Sequence, residues 1–129
     1  MIIRILLLLA GGAIGTVSRY AVSGLTHRYV DGTFPVGTLM VNVLGSLVIG
    51  VLWGTWETAN ISSNMRTFIF IGILGGFTTF SSYSLETLNL FREGEAKMAV
   101  VNILANNILG ISMVFAGFFL AKYVVNLIR

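Results

Sequence analysis

Apolar residues fill this chain in four long runs, and polar residues gather where the runs end. Ile2 to Ser23, Val36 to Trp56, about Thr67 to Leu90 and about Ala99 to Tyr123 each supply the roughly 20 mostly apolar residues that a helix needs to cross bilayer hydrocarbon. The connectors, Thr26 to Pro35, Glu57 to Arg66 and Phe91 to Lys97, are short and hold most of the charge and turn chemistry. The pattern predicts an all-α integral membrane protein, a single four-helix unit over residues 1–129 with no soluble domain. The third run is interrupted by Gly75-Gly76-Phe77-Thr78-Thr79-Phe80-Ser81-Ser82-Tyr83-Ser84. Hydrocarbon offers no partners for freed backbone groups, so such a segment needs protein or a water-filled path around it. The pattern therefore predicts a third helix opened at its glycines, and the opening is the first place to look for function.

Composition sharpens this picture. Apolar residues make up 56% of the chain and charged ones 10%, with a mean hydropathy of +0.90. A soluble domain carries about 25% charged residues, so this chain has too few to solvate a globular surface. Arg4 ahead of an apolar run has the look of a secretory signal. The run nevertheless continues through Gly11, Gly12 and Gly15 to Arg19 as an ordinary span does, and it is read as the first helix. There is no cysteine, which excludes disulfides, thiolate metal sites and cysteine nucleophiles and says nothing about compartment.

Charge placement bears on topology. With four spans, Arg4, Arg66, Lys122 and Arg129 share one side, while Arg28, Arg92 and Lys97 share the other, with Arg19 near the end of the first span. Orientation follows an excess of Lys and Arg on the cytoplasmic side, and here there is almost none. The balance predicts insertion in both orientations and, from that, an antiparallel two-fold homodimer; the alternative is one orientation set by some other signal. Gly11 and Gly15, Ser46 and Gly50, Gly50 and Gly54, and Gly72 and Gly76 are small residues at i, i+4. Spread over three spans, they predict a tightly packed bundle with close backbone approach.

Polar residues within the spans are Asn42 in the second, Thr78, Thr79, Ser81, Ser82 and Ser84 in the third, and Asn102, Asn106, Asn107 and Ser112 in the fourth. Asn102 and Asn106, at i, i+4, share a helix face. Any one of them could simply join helices, at about 0.6 kcal/mol apiece; rows at similar depth on three spans predict a shared polar path. A cation route or proton relay calls for a carboxylate inside the membrane, and none sits centrally in any span: Glu57 is at a span end and Glu86 lies beyond the interruption. Amides, hydroxyls and Arg19 are donors suited to an anion. Phe77, Phe80 and Tyr83, at i, i+3, i+6, could line one side of that path with electropositive ring edges, or serve only as packing or lipid-facing aromatics. His27 has no second histidine with which to build a metal site, and Trp53, Trp56, Tyr20, Tyr29 and Tyr123 read as interfacial belt residues. No nucleotide loop, catalytic triad or basic nucleic-acid stripe is present, so neither an enzyme nor a nucleic-acid partner is indicated.

The chain resembles the Fluc (CrcB) family of bacterial fluoride channels, nearly end to end. The likeness is carried by Gly11-Gly12-Ala13-Ile14-Gly15 with Arg19-Tyr20, by Gly37-Thr38-Leu39-Met40-Val41-Asn42-Val43-Leu44-Gly45-Ser46, and most specifically by Gly75 through Ser84 followed by Leu85-Glu86. The resemblance implies a dual-topology antiparallel homodimer in the bacterial inner membrane, with two fluoride pores along the subunit interface. It implies that the broken third helices meet around a buried sodium ion held by the carbonyls of Gly75 and Thr78. It maps the pore aromatics to Phe80 and Tyr83, the pore asparagine to Asn42 and the vestibule basic residue to Arg19. The usual residue at the second aromatic is phenylalanine; in Tyr83 the ring edge survives, while the hydroxyl adds bulk and a competing hydrogen-bond group. Ser81 and Ser84 would continue the polar track, and Asn102, Asn106 and Ser112 are expected to face the pore without a firm motif match. The implied function is passive, electrodiffusive fluoride export that lowers fluoride toxicity. The alternative is a small dual-topology drug or cation exporter, which needs an intramembrane acid that the first span lacks. A non-conducting assembly subunit is a third reading.

Overall fold

The computed structural model describes residues 1–57 and 59–128, and Arg129, counted in the charge balance above, lies outside them. The helices are α1 (Ile2–Tyr29), α2 (Val36–Trp56), α3 (Ser63–Arg66), a π-helical segment (Thr67–Leu74), α4 (Gly75–Phe77), α5 (Phe80–Arg92) and α6 (Ala96–Ile128). Among the described residues, four stretches are long and apolar enough to cross a membrane: α1, α2, the composite Ser63–Arg92 and α6. At 1.5 Å per residue the 28 residues of α1 reach about 42 Å, more than the ~30 Å hydrocarbon layer. Helix α1 accordingly continues past Ser23 to Tyr29, and α6 begins before Ala99 and ends after Tyr123.

Helix ends carry recognisable chemistry. Ser62 caps α3, its hydroxyl accepting the Met65 N–H at 3.2 Å. The turn into α6 has Gly94 at φ +81°, with Gly94 N–H bonded to the Phe91 carbonyl and Glu95 N–H to the Leu90 carbonyl at 2.8 Å. That double closure is a Schellman motif, and the left-handed residue it requires is cheap only for glycine.

Packing follows the small residues. A β-carbon on Gly11 would lie 3.0 Å from the Gly72 α-carbon, and one on Gly76 would lie 2.9 Å from the Gly12 carbonyl oxygen. Thus α1 and the first half of the third span touch backbone to backbone. On the other side, Gly50 faces the main chain of Val114 and Gly117 faces that of Leu47 and Val51, seating α6 against α2. The core this leaves is small: Val41, Asn102 and Ala99 are fully buried, whereas Phe80, Phe119 and Leu127 stand open. So much exposed apolar surface suits a chain solvated by lipid and by other membrane helices.

The interruption of the third span is not where the glycines suggest. Gly75 and Gly76 are helical, and the extended residues are Thr78 (φ −79°, ψ 157°) and Thr79 (φ −150°, ψ 120°). Gly76 is a contact against α1, not a hinge. The chain leaves the helix two residues later, where side chains from elsewhere take over its hydrogen bonds. The eight mostly apolar residues Thr67–Leu74, ahead of the break, wind as a π-helix, a form rare in general and concentrated at functional sites.

Candidate functional site

Asn42, from α2, holds the break open. Its Oδ1 accepts the Thr79 N–H at 2.8 Å, and its Nδ2 donates to the Thr79 carbonyl at 3.0 Å. In a continuous helix the Thr79 N–H would close onto the Gly75 carbonyl; here it is spent on Asn42. The second Nδ2 proton goes to Asn106 Oδ1 at 2.9 Å. Asn42 therefore replaces one turn of main-chain bonding and has no donor left over.

Thr79 completes the break by capping α5, its Oγ1 accepting the Ser82 N–H at 3.1 Å and donating to Ser82 Oγ at 3.0 Å. Behind Asn42 runs a chain of amides on α6. Asn106 donates to the Asn102 carbonyl and to Asn102 Oδ1 at 3.1 and 2.9 Å, and Asn102 donates to Thr87 Oγ1 at 2.9 Å. Asn102 is fully buried. Thus Asn42 and Asn106 join at the break as a load of donors already committed, and Asn102 lies behind them. Their shared face on α6 is as the i, i+4 spacing requires.

Other predicted residues are distributed less simply. Phe77 is separated from Phe80 by the break, so the i, i+3, i+6 alignment of three aromatics does not exist. Phe80 is 77% exposed while Tyr83 is 8% exposed, and their rings meet edge to face at 5.2 Å. The Tyr83 hydroxyl accepts from Asn107 Nδ2 at 3.2 Å, which leaves its own proton to donate. Ser81 stands exposed next to the Thr79 hydroxyl, 3.4 Å away. Ser84, also exposed, turns back to the Phe80 carbonyl at 2.9 Å. Ser112 is exposed on α6 and joins none of these bonds among the described residues.

Two cavities flank Thr79. One, of about 320 Å³, is lined by Asn42, Ser46, Gly75, Thr78, Thr79 and Phe80, among others. The second, of about 310 Å³, contains Arg19, Ser23, Thr38, Thr79, Ser82 and Glu86. Arg19 donates to the Thr78 carbonyl at 3.4 Å across this second cavity. The Thr38 hydroxyl donates to Glu86 Oε1 at 2.6 Å, while Glu86 Oε2 is buried without a partner among the described residues. A carboxylate thus does enter the polar region, opposite Arg19. Sequence reasoning set Glu86 aside as lying beyond the interruption, and it did not single out Thr38 or Thr87. The signal for Glu86 was its helical spacing of i, i+4 from Ser82, which brings both onto one face of α5.

Together these features define a multi-pass membrane protein whose third span is opened inside the bundle and walled by amides, hydroxyls, one guanidinium and one carboxylate. A family model described as "CrcB-like protein, Camphor Resistance (CrcB)" matches residues 6–118. The chain belongs to the CrcB family. It is 49% identical over 127 residues to a protein of Parabacteroides distasonis named fluoride-specific ion channel FluC, covering 98% of this chain and 99% of that one. Proteins of the same name from Dehalococcoides mccartyi and Pyrococcus abyssi are 47% and 44% identical, covering 92% and 91% of this chain and 92% and 94% of their own lengths.

Proposed function

We propose that this chain is a fluoride-selective channel that lets cytoplasmic fluoride leave the cell by passive electrodiffusion. The observation that carries this reading is the end-to-end likeness to fluoride-specific channels, on a chain whose polar interior sets hydroxyls and the Arg19 guanidinium beside the break, with one carboxylate, Glu86, facing the same cavity as Arg19. Fluoride is a small, strongly hydrated anion and a strong acceptor, so a narrow route must replace its water with N–H and O–H groups. Arg19, Ser81, the Tyr83 hydroxyl and the ring edges of Phe80 and Tyr83 are the groups with capacity to do so; Asn42, Asn106, Asn102 and Ser84 shape the route by holding backbone and one another. Ser112 belongs to the route only through a surface shared with another subunit.

The working unit is an antiparallel homodimer of chains inserted in both orientations, embedded in the bacterial inner membrane as lipid bilayer. Near-equal Lys and Arg counts on the two sides support this, as do two open cavities beside the break. At the dimer axis a sodium ion would be held by carbonyl oxygens of Gly75 and Thr78 from both copies. The donor set fits such an ion: the Gly75 carbonyl has lost its helical N–H to Asn42, and oxygen ligands suit a hard cation. Bound there, the ion would satisfy the freed Gly75 carbonyl and take the second lone pair of the Thr78 carbonyl, the first of which accepts from Arg19.

The test is efflux from liposomes containing only the purified full chain. Rapid fluoride release with little chloride release is expected. Release of neither anion, or of both at similar rates, would overturn the reading. A C-terminal tag should report both sides of the membrane in similar amounts, and a single location for all molecules would remove the antiparallel dimer.

A further inference from the structure

At the end of the bundle where α2 and α6 finish, two cavities meet at one side chain. The first, about 220 Å³, is lined by Trp53, Trp56, Glu57, Arg66 and Phe70. The second, about 390 Å³, is lined by Ile49, Trp53, Val114, Phe115, Phe118 and Phe119, all apolar. Trp53 belongs to both. Trp53 and Trp56 each meet the Phe70 ring edge to face, at 5.7 and 5.8 Å, which fixes the walls of the first cavity. The second opens outward, with Phe115 and Phe119 about three-fifths exposed (59% and 63%).

The charges divide unequally between these walls. Glu57 is paired with Lys122 at 2.5 Å, and the Lys122 ammonium also lies 5.6 Å from the centre of the Phe118 ring. That pair is neutral as a unit. The Arg66 guanidinium makes no ion pair or hydrogen bond among the described residues, so the polar cavity carries one uncompensated positive charge. A guanidinium that lines one cavity with two tryptophans, with Arg4 bonded to Ser63 on the same end, beside an apolar groove that runs deeper along α2 and α6, has the chemistry of a glycerophospholipid in register. Phosphate suits the guanidinium, the interfacial indoles suit the glycerol region, and hydrocarbon suits the phenylalanine groove.

We propose that this end of the chain binds a phospholipid, its phosphate at Arg66 and an acyl chain along the groove walled by Trp53, Phe115, Phe118 and Phe119. The net positive charge gives anionic headgroups the advantage over zwitterionic ones. Glu57 limits that advantage by engaging Lys122, so the two acidic and basic neighbours set the strength of selection in opposite directions. The inference is independent of what the polar interior conducts, and it requires that the Phe115–Phe119 turn, which continues the Ser112 face of α6, lie beyond the surface shared with a second subunit.

The chain provides its own reporter, because Trp53 and Trp56 are its 2 tryptophans. The full-length protein would be reconstituted in phosphatidylcholine vesicles containing increasing fractions of either brominated phosphatidylglycerol or brominated phosphatidylcholine, and tryptophan quenching recorded. For the wild type, phosphatidylglycerol should be about fivefold preferred, the factor that one cation beside an anionic headgroup supplies. Arg66→Gln should bring the two lipids to equal quenching. Glu57→Gln releases Lys122 and should raise the preference above wild type, so the pair of variants moves in opposite directions and either alone keeps the test decisive. Equal quenching by both lipids in the wild type, or a preference that neither substitution moves, would overturn the proposal. Weak quenching by both lipids would overturn it too, since that would mean that a second copy of the chain covers the groove.

Discussion

Replacing Asn42 with leucine removes a side chain that stands in for one turn of helix. Three groups lose their partners together: the Thr79 N–H, the Thr79 carbonyl and Asn106 Oδ1, bonded at 2.8, 3.0 and 2.9 Å. Thr79 is 8% exposed, so water does not readily take their place. Mutational values in membrane bundles average ~0.6 kcal/mol per hydrogen bond, whereas stranded buried groups cost about 1 kcal/mol or more each. Three such groups put the loss at roughly 2 to 3 kcal/mol. The chain has one inexpensive remedy, which is to let the Thr79 N–H close onto the Gly75 carbonyl and extend the helix through the break. Either outcome spoils the route: the first loosens it, the second fills it. If the whole cost falls on permeation, fluoride efflux slows by on the order of a hundredfold. The assay is liposome efflux alongside thermal unfolding of the purified protein in detergent. Asn42→Leu with wild-type efflux and an unshifted unfolding midpoint would falsify the assignment of Asn42 as the strut of the break. Asn42→Asp is the finer probe, because it keeps an acceptor for the Thr79 N–H but, when ionised, turns its second oxygen against the Thr79 carbonyl and Asn106 Oδ1; its unfolding midpoint should fall below that of wild type.

Phe80 is 77% exposed, so Phe80→Ile should purify as the wild-type assembly and unfold at nearly the same temperature, yet pass fluoride at least tenfold more slowly; unchanged efflux would mean that its ring edge plays no part. Tyr83→Phe keeps the ring and forfeits the bond from Asn107, a side chain that also donates to the Ile103 carbonyl at 2.8 Å, together with one of several donors along the route. Its efflux should stay within about threefold of wild type, a shift under 1 kcal/mol, whereas Tyr83→Leu should lose most of it; the opposite ranking would show that the hydroxyl carries the anion. Gly50→Val places a β-carbon against the main chain of Val114, which cannot move aside as a flexible side chain can. Yield of folded protein should collapse, and a normal yield with normal thermal stability would show that α2 and α6 separate easily.

Hydrophobic run length was enough to find four membrane-crossing stretches, because a helix in lipid must satisfy its own backbone and so announces itself by twenty apolar residues. The glycine pairs were legible for the same kind of reason: Gly11 and Gly15 against Gly72 and Gly76 is a local spacing with a local consequence. The π-helical winding of Thr67–Leu74 was not, since its residues have the same apolar character that an α-helix would bury or expose to lipid. Nor did the aromatic spacing survive, because counting i, i+3, i+6 assumes an unbroken helix between Phe77 and Tyr83.

The position of the break shows why local reading stops there. Glycine lowers the cost of leaving a helix, so a Gly-Gly pair draws attention to itself, yet Gly75 and Gly76 remain helical, and Gly76 uses its missing side chain to approach Gly12 and Thr16. What ends the helix is competition for hydrogen bonds. A buried N–H must be bonded to something, and at Thr79 the amide of Asn42, distant in sequence by 37 residues, outbids the Gly75 carbonyl. Threonine assists because its own side chain caps α5, which begins at the next residue. The information for the break is therefore split between two spans. Neither the polar run in the third nor the lone asparagine in the second specifies it alone, and only their contact does. The same contact fixes where a carbonyl is released and where the cavities open on either side of Thr79, and under the proposed function it gives Asn42 the part of shaping the backbone around the route, its own N–H groups being already engaged.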